Sequence, residues 1–226
     1  MKKLATAVLS LALITVASSA FAANAVRISQ VYGGGGSSSA AYTHDYIELF
    51  NNSGVAVDIS GWSIEYGSAT GAWASFSGNI YTFPEGSVIQ PCKYLLISGS
   101  SGSGGDPLPV AADHVAGLTL SGTTGKVALF TQPNINVVCG SEVGTIVDKV
   151  SYGTGNCPET ANVPGLSSLT AAIRIGGGTQ DTDNNLADFT VEGSFVPRNS
   201  ASPANTLCLA TPTAPTTWGS VKNIYR

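Results

Sequence analysis

Between Val26 and Val191 the sequence is a succession of short alternating runs, each cut off by Gly, Asn, Ser or Pro. A side-chain period of two is the signature of a strand with two distinct faces, and turn residues at this density leave no room for long helices. Val26–Val31 opens the series. In Tyr46–Asn51, Ile47 and Leu49 share one face while Tyr46, Glu48 and Phe50 share the other. Val55–Ile59, Trp62–Tyr66, Asn79–Phe83, Lys93–Ser98, Lys126–Phe130 and Thr145–Tyr152 follow, and Ala171–Ile175 reads as a strand because Ile173 and Ile175 alternate with Ala172 and Arg174. The fold expected is all-β, a β-sandwich, with Ile47, Leu49 and Trp62 as core anchors. Charged residues make up only 11% of the chain, which excludes a coiled coil, and the well-spread apolar residues exclude a disordered one.

The two ends differ from this pattern. Lys2 and Lys3 precede an apolar run, Leu4–Val16, and Ala20-Phe21-Ala22 supplies the small-x-small pattern of a signal peptidase site. Residues 1–22 are therefore expected to be a signal peptide cleaved after Ala22, which places the chain in the periplasm, at the cell surface or outside the cell. No later apolar stretch in the mature chain is long enough to span a bilayer. Residues 23–200 are expected to form the sandwich domain, and 201–226 a Pro/Thr-rich linker and short C-terminal tail. In that tail Trp218, Val221 and Tyr225 fall on one face of a short helix. They are expected either to dock on the sandwich or to be recognised by an export, anchoring or assembly partner. Export makes the four cysteines disulfide partners. Three connectivities are open. Cys139–Cys157, the neighbours in sequence, together with Cys92–Cys208, is the favoured set. Neither CxxC spacing nor a nearby histidine supports a metal site instead.

Ten basic residues against fourteen acidic ones give a net charge of −4, so nucleic acid is not an expected partner. His44-Asp45 and Asp113-His114 are adjacent in sequence, but strand neighbours point to opposite faces, and no G-x-S-x-G elbow accompanies them. Both histidines are read as surface or loop residues, and no catalytic residue is assigned. Gly33–Gly36 and Gly102–Gly105 lack the Lys-Ser/Thr ending of a phosphate loop and are read as mobile hairpin connections. The one candidate ligand set is Asp181, Asp183, Asn185 and Glu192, at positions 1, 3, 5 and 12 of a calcium-loop spacing. Leu186 stands where such a loop needs glycine. An Asx-turn capping the last strand is the first reading, and calcium in another geometry the alternative. No other cofactor is expected.

The blocks Asp45–Asn52, Val57–Ile64, Phe83–Pro91, Tyr94–Ile97, Val127–Phe130 and Val147–Gly153 resemble the lamin-tail domain family. Asp181–Asn185, Asp188-Phe189 and Pro197–Ser200 resemble the closing segment of its bacterial secreted members. The resemblance implies an immunoglobulin-like sandwich. It leaves function open: such domains bind proteins, DNA and chromatin in nuclear filament proteins, and in bacteria stand in secreted proteins beside extracellular nucleases or phosphatases. The expected function is a secreted, non-catalytic binding module contacting an unknown extracellular or cell-surface protein or polymer. The alternative is an extracellular hydrolase, a nuclease or glycosidase, or an accessory domain of one. A third reading is a surface-layer or filament subunit assembled through the tail. The oligomeric state is not set by the sequence.

Overall fold

The computed structural model describes residues 25–208. The cleavage site and the tail residues Trp218, Val221 and Tyr225 lie outside the described residues. Twelve strands follow in chain order: β1 (Val26–Tyr32), β2 (His44–Asn51), β3 (Val57–Asp58), β4 (Ser63–Gly67), β5 (Ile80–Thr82), β6 (Val88–Ile89), β7 (Tyr94–Ser101), β8 (His114–Val115), β9 (Gly125–Phe130), β10 (Ile146–Tyr152), β11 (Ala171–Arg174) and β12 (Phe189–Glu192). One turn of helix, α1 (Asn185–Asp188), precedes β12. Among the described residues no helix is long and apolar enough to cross a membrane.

Six strands form one sheet in the order β12-β11-β1-β2-β7-β8, and four form a second in the order β10-β9-β4-β5; β3 and β6 pair at one end. Every pairing is antiparallel except β7 with β8. Ile28, Ile47, Leu49 and Ile97 from the first sheet pack against Ile64, Val127, Leu129 and Val150 from the second. This is the sandwich that the alternation predicts, with Ile47 and Leu49 buried in its centre. A bulge between Ile28 and Gln30 switches the parity of β1, which lets both Ile28 and Val31 face the core.

Trp62 does not anchor the core. It is half-buried and packs against the core from its rim, and among the described residues the fully buried tryptophan is Trp73, which packs with Phe130 and Ala128 on the outer side of the smaller sheet. The outer side of the larger sheet is covered as well: Tyr32, Tyr46, Leu96 and Phe195 form a second apolar layer. The strands are therefore buried on both faces, and their alternate polar residues, Glu48, Glu65, Lys126, Asp148 and Arg174, are buried with them.

The glycine loops are interlocked rather than mobile. The Gly36 carbonyl accepts the Gly104 N–H at 3.0 Å, and the Gly102 N–H donates to Thr43. A Cβ on Gly104 would lie 1.8 Å from the Ser37 carbonyl oxygen, so only the missing side chain permits this approach. Both histidines sit in strands and are half-buried, His44 in β2 and His114 in β8, and are not loop residues.

Sulfur–sulfur bonds join Cys92 to Cys208 and Cys139 to Cys157. Residues 201–208, expected to begin the linker, are fastened to the sandwich. The Asn205 N–H donates to the Cys92 carbonyl, and its side chain donates to Gly176.

Candidate functional site

The four expected calcium ligands are not brought together. Asp183 is exposed in a left-handed turn with φ 54°, and Glu192 is exposed at the end of β12. Asn185 is fully buried, and its amide makes four hydrogen bonds. Its oxygen accepts the N–H groups of Ser151 and Glu159, and its nitrogen donates to the Lys149 carbonyl and Glu159 Oε2. These bonds seal the free edge of β10. The loop itself winds around Asp188, whose carboxylate accepts the backbone N–H groups of Thr182 and Asn184 and the Thr182 hydroxyl. Burial alone would raise the Asp188 carboxyl, but these donors hold it below its ordinary value. The donors lie four and six residues before Asp188, so the loop is folded back onto this carboxylate.

Asp181 belongs to a different cluster. The β1–β11 ladder reaches only Gln30–Ile173 and Val31–Ala172, and beyond it the N–H and C=O of Ile28 take side-chain partners. Asp148 Oδ2 accepts the Ile28 N–H at 2.6 Å, and Arg174 Nε donates to the Ile28 carbonyl at 2.8 Å. Arg174 Nη2 and Asp148 Oδ2 are 2.6 Å apart, both side chains are buried, and the guanidinium stacks on Phe189. Arg174 is on the larger sheet and Asp148 on the smaller, so this pair bridges the two. Asp181 adds a contact to Arg174 at 3.3 Å and one to Arg27 at 3.1 Å.

Carboxylate oxygens of Asp148, Glu159 and Asp181 all lie within 4.8 Å of one another. Burial, and then the charge of Asp148, push Glu159 up to about 8, so it holds a proton at neutral pH. Burial raises Asp148 too, against the pull of Arg174. Two guanidiniums already neutralise this group, and its chemistry is structural: it replaces a missing stretch of ladder. Sequence reading passed over Arg174, Asp148 and Glu159. The only available signal was a charged residue inside an alternating strand.

Among the described residues an open groove lies elsewhere. A groove of about 550 Å3 runs beside β8 at the edge of the larger sheet. Leu108, Val110, Ala112 and Val115 supply its apolar lining, and His44 and Ser98 its polar groups. No Lys, Arg, Asp or Glu lines it. Val115 is 77% exposed. His44 Nδ1 is 2.9 Å from the Thr43 hydroxyl, and His114 Nδ1 is 2.9 Å from the Tyr81 hydroxyl. Burial lowers His114 below its usual value. Among the described residues neither ring hydrogen-bonds a carboxylate, so the two His–Asp sequence pairs make no dyad.

A strap fixes one wall of this groove. Residues 195–200 cross the outer side of the larger sheet. Arg198 pairs with buried Glu48 at 2.7 Å, stacks on Tyr94 and hydrogen-bonds the Tyr94 hydroxyl. Asn199 then donates to the Ala111 carbonyl in the groove wall, and Ser200 hydrogen-bonds Asp113.

No curated protein matches the sequence. Among solved structures, the chain is similar to a DUF4876 family protein from Bacteroides thetaiotaomicron, at 14% identity and a TM-score of 0.48, over 74% of this chain and 70% of that one. The family model for the lamin tail domain matches residues 19–154, from ahead of β1 to just past β10. With its two-sheet architecture and that match, the chain belongs to the lamin tail domain family.

Proposed function

We propose that this protein is a secreted, non-catalytic binding module, and that the groove beside β8 is its contact surface. The observation that carries the reading is the contrast between the buried charged cluster and the groove. The buried carboxylates around Arg174 are occupied by the protein's own donors, whereas the groove is open, apolar and free of formal charge. Its volume lies in the range of about 300–1,000 Å3 usual for ligand sites. A lining of this kind takes aliphatic or aromatic groups, with His44 and Ser98 supplying hydrogen bonds, and offers nothing to a polyanion. An extended peptide suits it best, because β8 ends the sheet and only one of its sides is paired with β7. Secretion is supported by the Lys2-Lys3 and Ala20-Phe21-Ala22 pattern and by the two disulfides.

The test is selection of a random-peptide library on the purified protein, followed by measurement of the winners on Val115→Arg. Because Val115 is exposed, the variant should keep the wild-type melting temperature while losing affinity by at least about tenfold, near 1.4 kcal/mol. Equal binding by both proteins would remove the groove from the proposal. Turnover of nuclease, phosphatase or glycosidase substrates, with or without calcium, would show instead that the protein is an enzyme.

A further inference from the structure

Lys126 stands in β9 among Val127, Ala128 and Leu129, and it is fully buried. Its stem crosses the smaller sheet over Gly67, its partner in the β4–β9 ladder; a Cβ there would lie 2.6 Å from Lys126 Cε. The amine ends 5.0 Å from the centre of the Trp73 ring. Among the described residues no carboxylate lies within ion-pair distance of it. The nearest acid, Glu142, is occupied by the Trp73 indole N–H at 2.8 Å and the Gly140 N–H at 2.7 Å. What the amine touches instead are two carbonyl oxygens, Gly71 O at 2.6 Å and Asn156 Oδ1 at 2.5 Å.

A buried ammonium without a counter-ion is expensive, and burial lowers the Lys126 amine below its usual value against the pull of Glu142. In its unprotonated form, an amine held against a carboxamide is a nucleophile beside an acyl group. The backbone that carries the carboxamide is held in place: the Asn156 backbone N–H donates to the Ala69 carbonyl at 2.8 Å, and the next residue, Cys157, is bonded to Cys139. Holding reactants in this way is worth a large effective concentration.

We propose that Lys126 and Asn156 are a modification site, at which the chain cross-links itself through an isopeptide bond. Lys126 Nζ, once it has given its ammonium proton to solvent, adds to Asn156 Cγ, and the bond from Cγ to the amide nitrogen breaks. That nitrogen takes the proton shed by Nζ on addition and leaves as ammonia into solvent, to which Asn156 is exposed. One amide replaces another, and nothing is oxidised or reduced. The product fixes β9 to the segment after β10, beside the Cys139–Cys157 bond, and closes the layer that covers Trp73.

The test is peptide mapping of the folded, full-length protein after reduction, denaturation and digestion. The expected result is one branched peptide joining Lys126 to Asn156, lighter than the two separate peptides by one ammonia. It should be absent from Asn156→Ala and from Lys126→Arg. The wild-type map decides the matter even if a variant fails to fold. Unlinked Lys126 and Asn156 peptides as the sole products from wild-type protein aged in its folded state would overturn the proposal. So would an ammonia loss that maps to any other residue.

Discussion

Glu159 shows how one side chain acquires properties its residue type does not suggest. Its carboxyl, half-buried beside Asp148, is pushed up to about 8 from an ordinary 4.5. The folded state therefore binds this proton more tightly than the unfolded chain does. Its contribution to stability is complete below the unfolded value and is lost as pH rises through the folded one. Glu159→Gln should flatten the decline of stability between about pH 5 and pH 8, and should stabilise the protein at the upper end relative to wild type. Thermal melts of both proteins across that range would check it, and parallel curves would show that the carboxyl is not proton-linked. Little of this is legible in sequence. Asp148 and Arg174 are 26 residues apart, and the Ile28 backbone they serve is 120 residues from Asp148. A lone Arg in an alternating strand reads equally well as a solvated face.

At the level of elements, the alternating runs locate most of the strands because a two-residue period survives any packing that distinguishes two faces. Boundaries differ: β2 starts at His44 rather than Tyr46, β3 shrinks to Val57–Asp58, and β11 ends at Arg174. The glycine loops are the larger misreading. Sequence shows that a Cβ is missing but not what occupies its place, and here a second glycine loop does. Gly104→Ala should cost about 2–3 kcal/mol, the upper part of the range for single substitutions, because the clash is with backbone. Gly54→Ala, with nothing within 4 Å of the new Cβ, should stay within about 0.5 kcal/mol. Denaturant melts would separate the two, and equal effects would mean that the loops are free to part.

For the molecule as a whole, the two disulfides constrain very different lengths of chain. Cys92–Cys208 closes a separation of 116 residues and ties the segment after the strap to the turn just ahead of β7, while Cys139–Cys157 closes 18. On the chain-entropy account, replacing the first pair by alanine should cost about 4–5 kcal/mol and the second about 3. Equilibrium unfolding of the two double variants tests this, and the reverse order would show that native packing, not the unfolded chain, sets the difference. The larger sheet also requires β11 and β12, which lie beyond residue 154 where the family match ends.

By itself the sequence determined what depends on local chemistry: strand period, turn positions, the resemblance to the lamin-tail blocks, and the residues available for disulfides. Only the tertiary structure decided which polar side chains are buried and with whom. It put Arg174 under Asp148, the Lys126 amine against Asn156, and Trp73 rather than Trp62 in a sealed interior. The physical reason is that burial and pairing are properties of both faces of a strand at once. A covering layer drawn from distant segments turns a face that reads as solvated into an interior.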